Sequence, residues 1–134
     1  MTTTVTHSTG KKEYKDFTSL RAWQIGNDVN ITAQAMLQEY RQEEETSRWC
    51  QSVQMSLRDS VVQLMEAFRK YQSSDKWRRY DACLFYINQA LYTLMLGQSV
   101  GWWQVDELLA DVKEYENVVR ATAYHFVEKK EKVT

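Results

Sequence analysis

Proline is absent from these 134 residues and glycine occurs only four times. Tight β-turns and short irregular loops rely on those two residues for their backbone angles, so their scarcity excludes a β-rich fold with many reversals and favours a few long uninterrupted helices. Histidine is nearly as scarce: His7 and His125 are the two, and neither has a glutamate three residues before it. The di-metal carboxylate site that helical bundles can carry needs Glu-x-x-His pairs on two helices, which excludes that chemistry. There is also no glycine-rich phosphate loop, no serine nucleophile turn, and no Cys, His and acid set at suggestive positions. No catalytic residue, metal ligand or cofactor is assigned, and the chain is expected not to be an enzyme.

Long apolar runs are missing too. The amino-terminal stretch MTTTVTHSTGKKEY is polar and lacks the apolar centre of a signal peptide, and no window approaches membrane-spanning length. The expectation is a soluble, cytoplasmic protein with no membrane partner. Only two cysteines occur, Cys50 and Cys83, without zinc-ligand spacing.

Four amphipathic segments with apolar residues at alternating three- and four-residue steps fill most of the chain. The first, over residues 16–43, carries Ala22, Gly26, Val29, Ala33, Met36 and Tyr40, flanked by Leu20, Trp23 and Leu37. The second, over 46–72, carries Cys50, Val53, Leu57, Val61, Leu64, Phe68 and Tyr71. The third, over 74–98, carries Trp77, Tyr80, Leu84, Ile87, Leu91 and Leu94. The fourth, over 104–130, carries Val105, Leu108, Val112, Tyr115, Val119, Thr122 and Phe126.

Similar helices joined by short links must reverse direction at each one, which predicts an all-α, antiparallel up-down-up-down four-helix bundle over residues 15–130. Residues 1–14 are expected to form a flexible polar tail and 131–134 a short basic one. Thr46 or Ser47 is a candidate cap for the second helix, and Ser73 or Ser74 for the third. The same topology separates Cys50 from Cys83 by roughly 20 Å of height, whereas a disulfide needs Cα atoms within about 7 Å. Two separate core-filling thiols are expected.

Charge totals are close to balanced, 17 basic against 18 acidic, but bundle topology sorts them. One end collects Lys11, Lys12, Lys15, Arg21, Arg69, Lys70, Lys76, Arg78, Arg79, Lys129, Lys130 and Lys132 against Glu13, Asp16, Glu66, Asp75, Asp81, Glu128 and Glu131, twelve against seven, a net of +5. The remainder of the chain is net −6. Lysines and arginines at a helix start oppose the backbone dipole by ~0.3–1 kcal/mol each. Lys76, Arg78 and Arg79 in SSDKWRRY are therefore not there for local helix stability. Lys11, Lys12, Arg69, Lys70, Lys76, Arg78, Arg79, Lys129 and Lys130 form the candidate nucleic-acid-binding pole.

The acidic run Glu43 to Glu45 precedes the second helix, where negative charge suits a helix start, and His125 reads as a helix-end structural residue. Trp23, Trp49 and Trp77 fall on or beside apolar seams. Trp102 and Trp103 sit in the third link, where two adjacent rings do not both turn inward easily, and are candidate protein-interface residues.

The chain resembles the superfamily of small four-helix bundles with two branches: proteins encoded within 23S ribosomal RNA intervening sequences, and the accessory variability determinant of diversity-generating retroelements. Phe17, Leu20, Trp23 and Gln24 resemble the opening of the first branch. Asp81, Ala82, Leu84, Ile87, Leu91 and Leu94 are similar to the Asp-Ala-x-Leu pattern of the second. The resemblance implies a homo-oligomeric ring, commonly a pentamer, without known catalytic activity. In the retroelement branch it implies a basic surface for structured RNA or DNA and a reverse transcriptase partner. The competing expectation is a protein-protein scaffold with no direct nucleic-acid role.

Overall fold

The computed structural model describes the backbone of residues 17–133 and the side chains of residues 17–126, and all described regular structure is helical. A short 3-10 turn, Phe17–Ser19, leads into α1 (Arg21–Met36), α2 (Gln38–Arg41), α3 (Glu44–Phe68), α4 (Ser73–Val100) and α5 (Asp106–Val133). Helix α5 thus continues across residues 131–133, and no description extends to the segment 1–14.

Four long helices pack in a closed cycle, α1 on α3, α3 on α4, α4 on α5 and α5 on α1. Side-chain pairs give their directions. Going down α3, Ala67, Gln63 and Ser56 meet Lys76, Arg79 and Gln89 going up α4. Asn30 and Leu37 meet Leu57 and Cys50. Gly26 lies against Tyr115 and Tyr40 against Trp103, so α1 also runs opposite to α5.

The first segment is not one helix. At Leu37 the backbone departs from helical angles (φ −94°, ψ 0°), which turns Leu37 fully into the core and leaves Met36 and Tyr40 partly exposed. After α2, the buried Thr46 hydroxyl donates to the Tyr40 carbonyl. Thr46 therefore ties down the α2–α3 link and does not cap α3, whose first-turn amides at Thr46 and Ser47 bond the Glu43 carbonyl. Nor does Ser73 or Ser74 cap α4, because the helix starts at Ser73 with Gln72 in the cap position. The last turn of α4 closes on Gly101 at φ 89°, with Trp102 N–H on the Gly97 carbonyl at 2.7 Å and Gly101 N–H on the Gln98 carbonyl at 3.3 Å. This pair of bonds is a Schellman motif, and its left-handed position suits glycine. The Gln98 side chain then accepts the Val105 N–H and donates to Asp106, holding the start of α5.

Small residues take core positions that periodicity gave to larger ones. Ser60, Ala67, Cys83, Ala90 and Gly97 are buried, while Val61, Leu84 and Leu91 sit at the core margin and Tyr71 is 97% exposed. Where helices approach closely, a short side chain on one makes room for a large one on its neighbour. Gly97 does this for Trp103: a Cβ there would lie 2.3 Å from the indole. Gly26 does it for Tyr115, at 2.7 Å.

Tyr115 stands at the bundle centre, fully buried. The Ser60 hydroxyl donates to the Leu57 carbonyl at 2.6 Å, which leaves its oxygen to accept the Tyr115 hydroxyl at 2.8 Å. The Cys83 thiol lies 3.8 Å from the same phenol. Burial pushes Cys83 up to about 12 and also raises Cys50 and Tyr115, since each charged form would have to leave water. Both cysteines are free and buried.

Gly97→Ala is expected to lower stability by roughly 1–3 kcal/mol through overpacking against Trp103, and to lose less in a Trp103→Phe background; urea denaturation of the single and double variants measures both. Neither thiol should react with a disulfide reagent in the native protein at pH 8, and both should react in denaturant. Because the native pKa of Cys83 is raised, its contribution is complete below the ordinary value of 9.0 and declines as pH rises toward about 12. Alkaline unfolding curves should show stability falling from about pH 9 upward, less steeply in Cys83→Ala.

Candidate anion-binding corner at the junction of α3 and α4

The end of α3 and the start of α4 meet across a four-residue link, residues 69–72, so the negative end of one helix dipole lies beside the positive end of the next. Arg69 and Lys70 follow the last carbonyls of α3, where the dipole favours cations. Lys76, although on the first turn of α4, turns back: its Nζ donates to the Ala67 carbonyl at 3.0 Å and lies 6.0 Å from the Phe126 ring centre. The Ala67 carbonyl already accepts the Lys70 N–H at 3.1 Å, so Lys76 adds a second, charged donor at the negative end of α3. Partial burial lowers the Lys76 pKa, and one of its ammonium donors is used within the chain. Lys76 thus clamps the α3 terminus through this bond.

The remaining cations divide by partner. Arg69 pairs with Glu66 at 3.7 Å, both well solvated; an exposed pair of this kind contributes ~0–1 kcal/mol and leaves the guanidinium reachable. Arg79 donates to the Gln63 side chain at 3.1 Å, which fixes its direction without neutralising its charge. Among the described residues, Lys70 and Arg78 have no ion-pair partner. Lys70, Arg78 and Arg79 line an open cleft together with Asp75, three cations to one carboxylate. Lys11, Lys12, Lys129 and Lys130 lie outside the described side chains.

Sequence periodicity missed Tyr71. It follows Phe68 by three residues and so reads as a continuation of the α3 seam, but α3 ends at Phe68 and the ring stands 97% exposed, next in sequence to Lys70 of the cationic cleft. The polar run Gln72, Ser73, Ser74 directly after it was the available signal of a link.

At the opposite end of the bundle Glu43, Glu44, Glu45, Asp106 and Glu107 are exposed. The two candidate interface tryptophans part company there. Trp103 is 2% exposed, its indole N–H donating to the Leu94 carbonyl at 3.0 Å; Gly97 leaves space for the ring, so it is a core residue and not an interface one. Trp102 is half-buried and stacks on Trp49, centroids 5.2 Å apart at 22°. Both rings turn inward, edge-on to each other with centroids 5.7 Å apart.

No three His, Cys, Asp or Glu side chains converge to hold a metal ion among the described residues, and no described helix is long and apolar enough to cross a membrane. The corner can hold an anion by charge, and the exposed Tyr71 ring can present a flat surface to a planar group. Set against known protein families, characterised proteins and solved structures, the chain matches none.

Proposed function

We propose that the protein is a non-enzymatic nucleic-acid-binding bundle that grips phosphates at the α3–α4 corner and stacks an unpaired base on Tyr71. The observation that carries this reading is the 97% exposed Tyr71 ring directly following Lys70, which lines an open cleft with Arg78 and Arg79. Guanidinium groups present planar donor forks to phosphate oxygens, while a base stacked on an aromatic ring contributes roughly 1–3 kcal/mol with little sequence preference. Together they suit a structured RNA or DNA that carries an unpaired nucleotide next to a helical stem.

One corner of this size holds few phosphates and binds loosely on its own. Self-association of any order would bring more than one corner to one nucleic acid and raise overall affinity by effective concentration. The family resemblance supports service to a reverse transcriptase, with the bundle presenting the nucleic acid and the enzyme supplying the chemistry.

Fluorescence anisotropy with a labelled RNA hairpin, over a salt series, tests the reading. The logarithm of the binding constant is expected to fall linearly with the logarithm of salt concentration. Lys70→Glu combined with Arg78→Glu should abolish binding with the fold intact, because neither side chain has a partner among the described residues. Tyr71→Ala should weaken binding of a looped hairpin by roughly 5- to 100-fold and leave a blunt duplex nearly unchanged. Salt-insensitive binding, or binding that survives the double charge reversal, overturns it.

A further inference from the structure

We propose that the outer face of α4 is a self-association surface on which a second copy of the chain docks antiparallel, giving a two-fold dimer. After Asp81 the sequence carries no charged side chain until Asp106, which leaves the last two thirds of α4 and the following link uncharged. Charge is plentiful elsewhere, at 26% of the chain, and the solvated faces of α3 and α5 bear Arg58, Asp59, Lys113, Glu114 and Arg120. Among the described residues, α4 exposes a long face without any.

That face is also aromatic. Phe85 is 59% exposed, Tyr92 65% and Met95 46%, and Phe85 meets Tyr86 edge-on at 5.5 Å. Phe85, Asn88, Tyr92, Met95 and Ser99 follow the alternating three- and four-residue step of a helix-to-helix seam, on the side of α4 opposite the buried Tyr80, Cys83, Ile87 and Leu94. The buried set already supplies the contacts of α4 within its own bundle. The outer seam needs another helix.

Electrostatic polarity selects the occupant and its direction. The start of α4 lies among Lys70, Lys76, Arg78 and Arg79 against Asp75 and Asp81, four cations to two carboxylates, and its end lies by Asp106 and Glu107, near the first turn of α3 with Glu44 and Glu45. A second copy laid parallel would set like charges together at both ends. Laid antiparallel, the cationic end of each copy faces the acidic end of the other, the complementarity that steers association and fixes register. A two-fold axis near Asn88 and Gln89 then places Phe85 against the partner copy's aromatic seam and Arg78 at the level of Ser99.

The seam from Arg78 to Ser99 spans about 32 Å at 1.5 Å per residue. With the flanks of α3 and α5 it offers on the order of 600 Å² per protomer, somewhat below the ~800 Å² per partner of a standard interface. A reversible, concentration-dependent dimer is the expected form. The dimer goes beyond the nucleic-acid reading and does not depend on it; if both hold, the two phosphate corners sit at opposite ends, about 32 Å apart along the axis.

Sedimentation equilibrium of the full chain without nucleic acid, over protein and salt concentration, tests the proposal. The expected result is twice the 15.9 kDa chain mass at high concentration, weakening as salt rises. Phe85→Glu with Tyr92→Glu should raise the dimer dissociation constant roughly 30-fold or more, with helical circular dichroism and thermal midpoint preserved, since both side chains are mostly solvated in the monomer. Orientation has its own readout: under mild oxidation Asn88→Cys should form an intermolecular disulfide, because it faces its counterpart across the axis, and Ser99→Cys should not. A monomer at every concentration, a mass above dimer such as a ring of bundles gives, a dimer unaffected by the two glutamates, or cross-linking at Ser99→Cys in place of Asn88→Cys overturns it.

Discussion

All four long helices meet at one phenol. Tyr115 of α5 is seated against Gly26 of α1, donates to Ser60 of α3 and lies beside Cys83 of α4. A buried hydroxyl without a partner costs about 1–3 kcal/mol, so this tyrosine is tolerable at the centre only while Ser60 is in register. Ser60 in turn spends its own hydrogen on the Leu57 carbonyl. A slip of any one helix by a turn would strand a polar group or drive a Cβ into the ring. The apolar seams would tolerate such a slip more readily, and the polar chain therefore selects one arrangement among several greasy ones.

From that register the distribution of charge follows. Once α3 and α4 are fixed antiparallel, the cations flanking their link fall at one end and the acids of the α2–α3 link fall at the other. The end of α3 and the start of α4 also resolve the electrostatic oddity of SSDKWRRY. Lys76 sits at the wrong end of its own helix dipole and at the right end of its neighbour's, bonded to the Ala67 carbonyl. Arg78 has no such compensation among the described residues, which is why it remains the residue most available to an external anion.

The four main helices and their order were legible because proline is absent and the apolar steps are long and regular; the break at Leu37 was not. The finer assignment of core residues was not, and for one reason. An α-helix advances 3.6 residues per turn, so a seam traced in strict three- and four-residue steps drifts from the true inward direction. Bulky Val61, Phe68, Leu84 and Leu91 drew the reading toward themselves, while Ser60, Ala67, Cys83 and Ala90 lie nearer the axis, where space is least. Trp103 was misplaced because its socket is built by Gly97, six residues earlier on another element, and a cavity made by a missing side chain has no local signature. Of the candidate site, Arg69, Lys70, Arg78 and Arg79 were readable from topology alone; Tyr71 was not, since its exposure depends on where α3 stops.

The stacked Trp49 and Trp102, with Trp103 edge-on to Trp102 and Tyr40 beside it, form a compact chromophore cluster at the acidic end. Indoles held in a fixed relative orientation give a near-ultraviolet circular-dichroism signal that depends on geometry between α2, α3 and the α4–α5 link. Trp23 and Trp77 stand apart from it. The molecule thus carries an intrinsic optical gauge of one extremity, able to register loosening there independently of the helical signal of the whole.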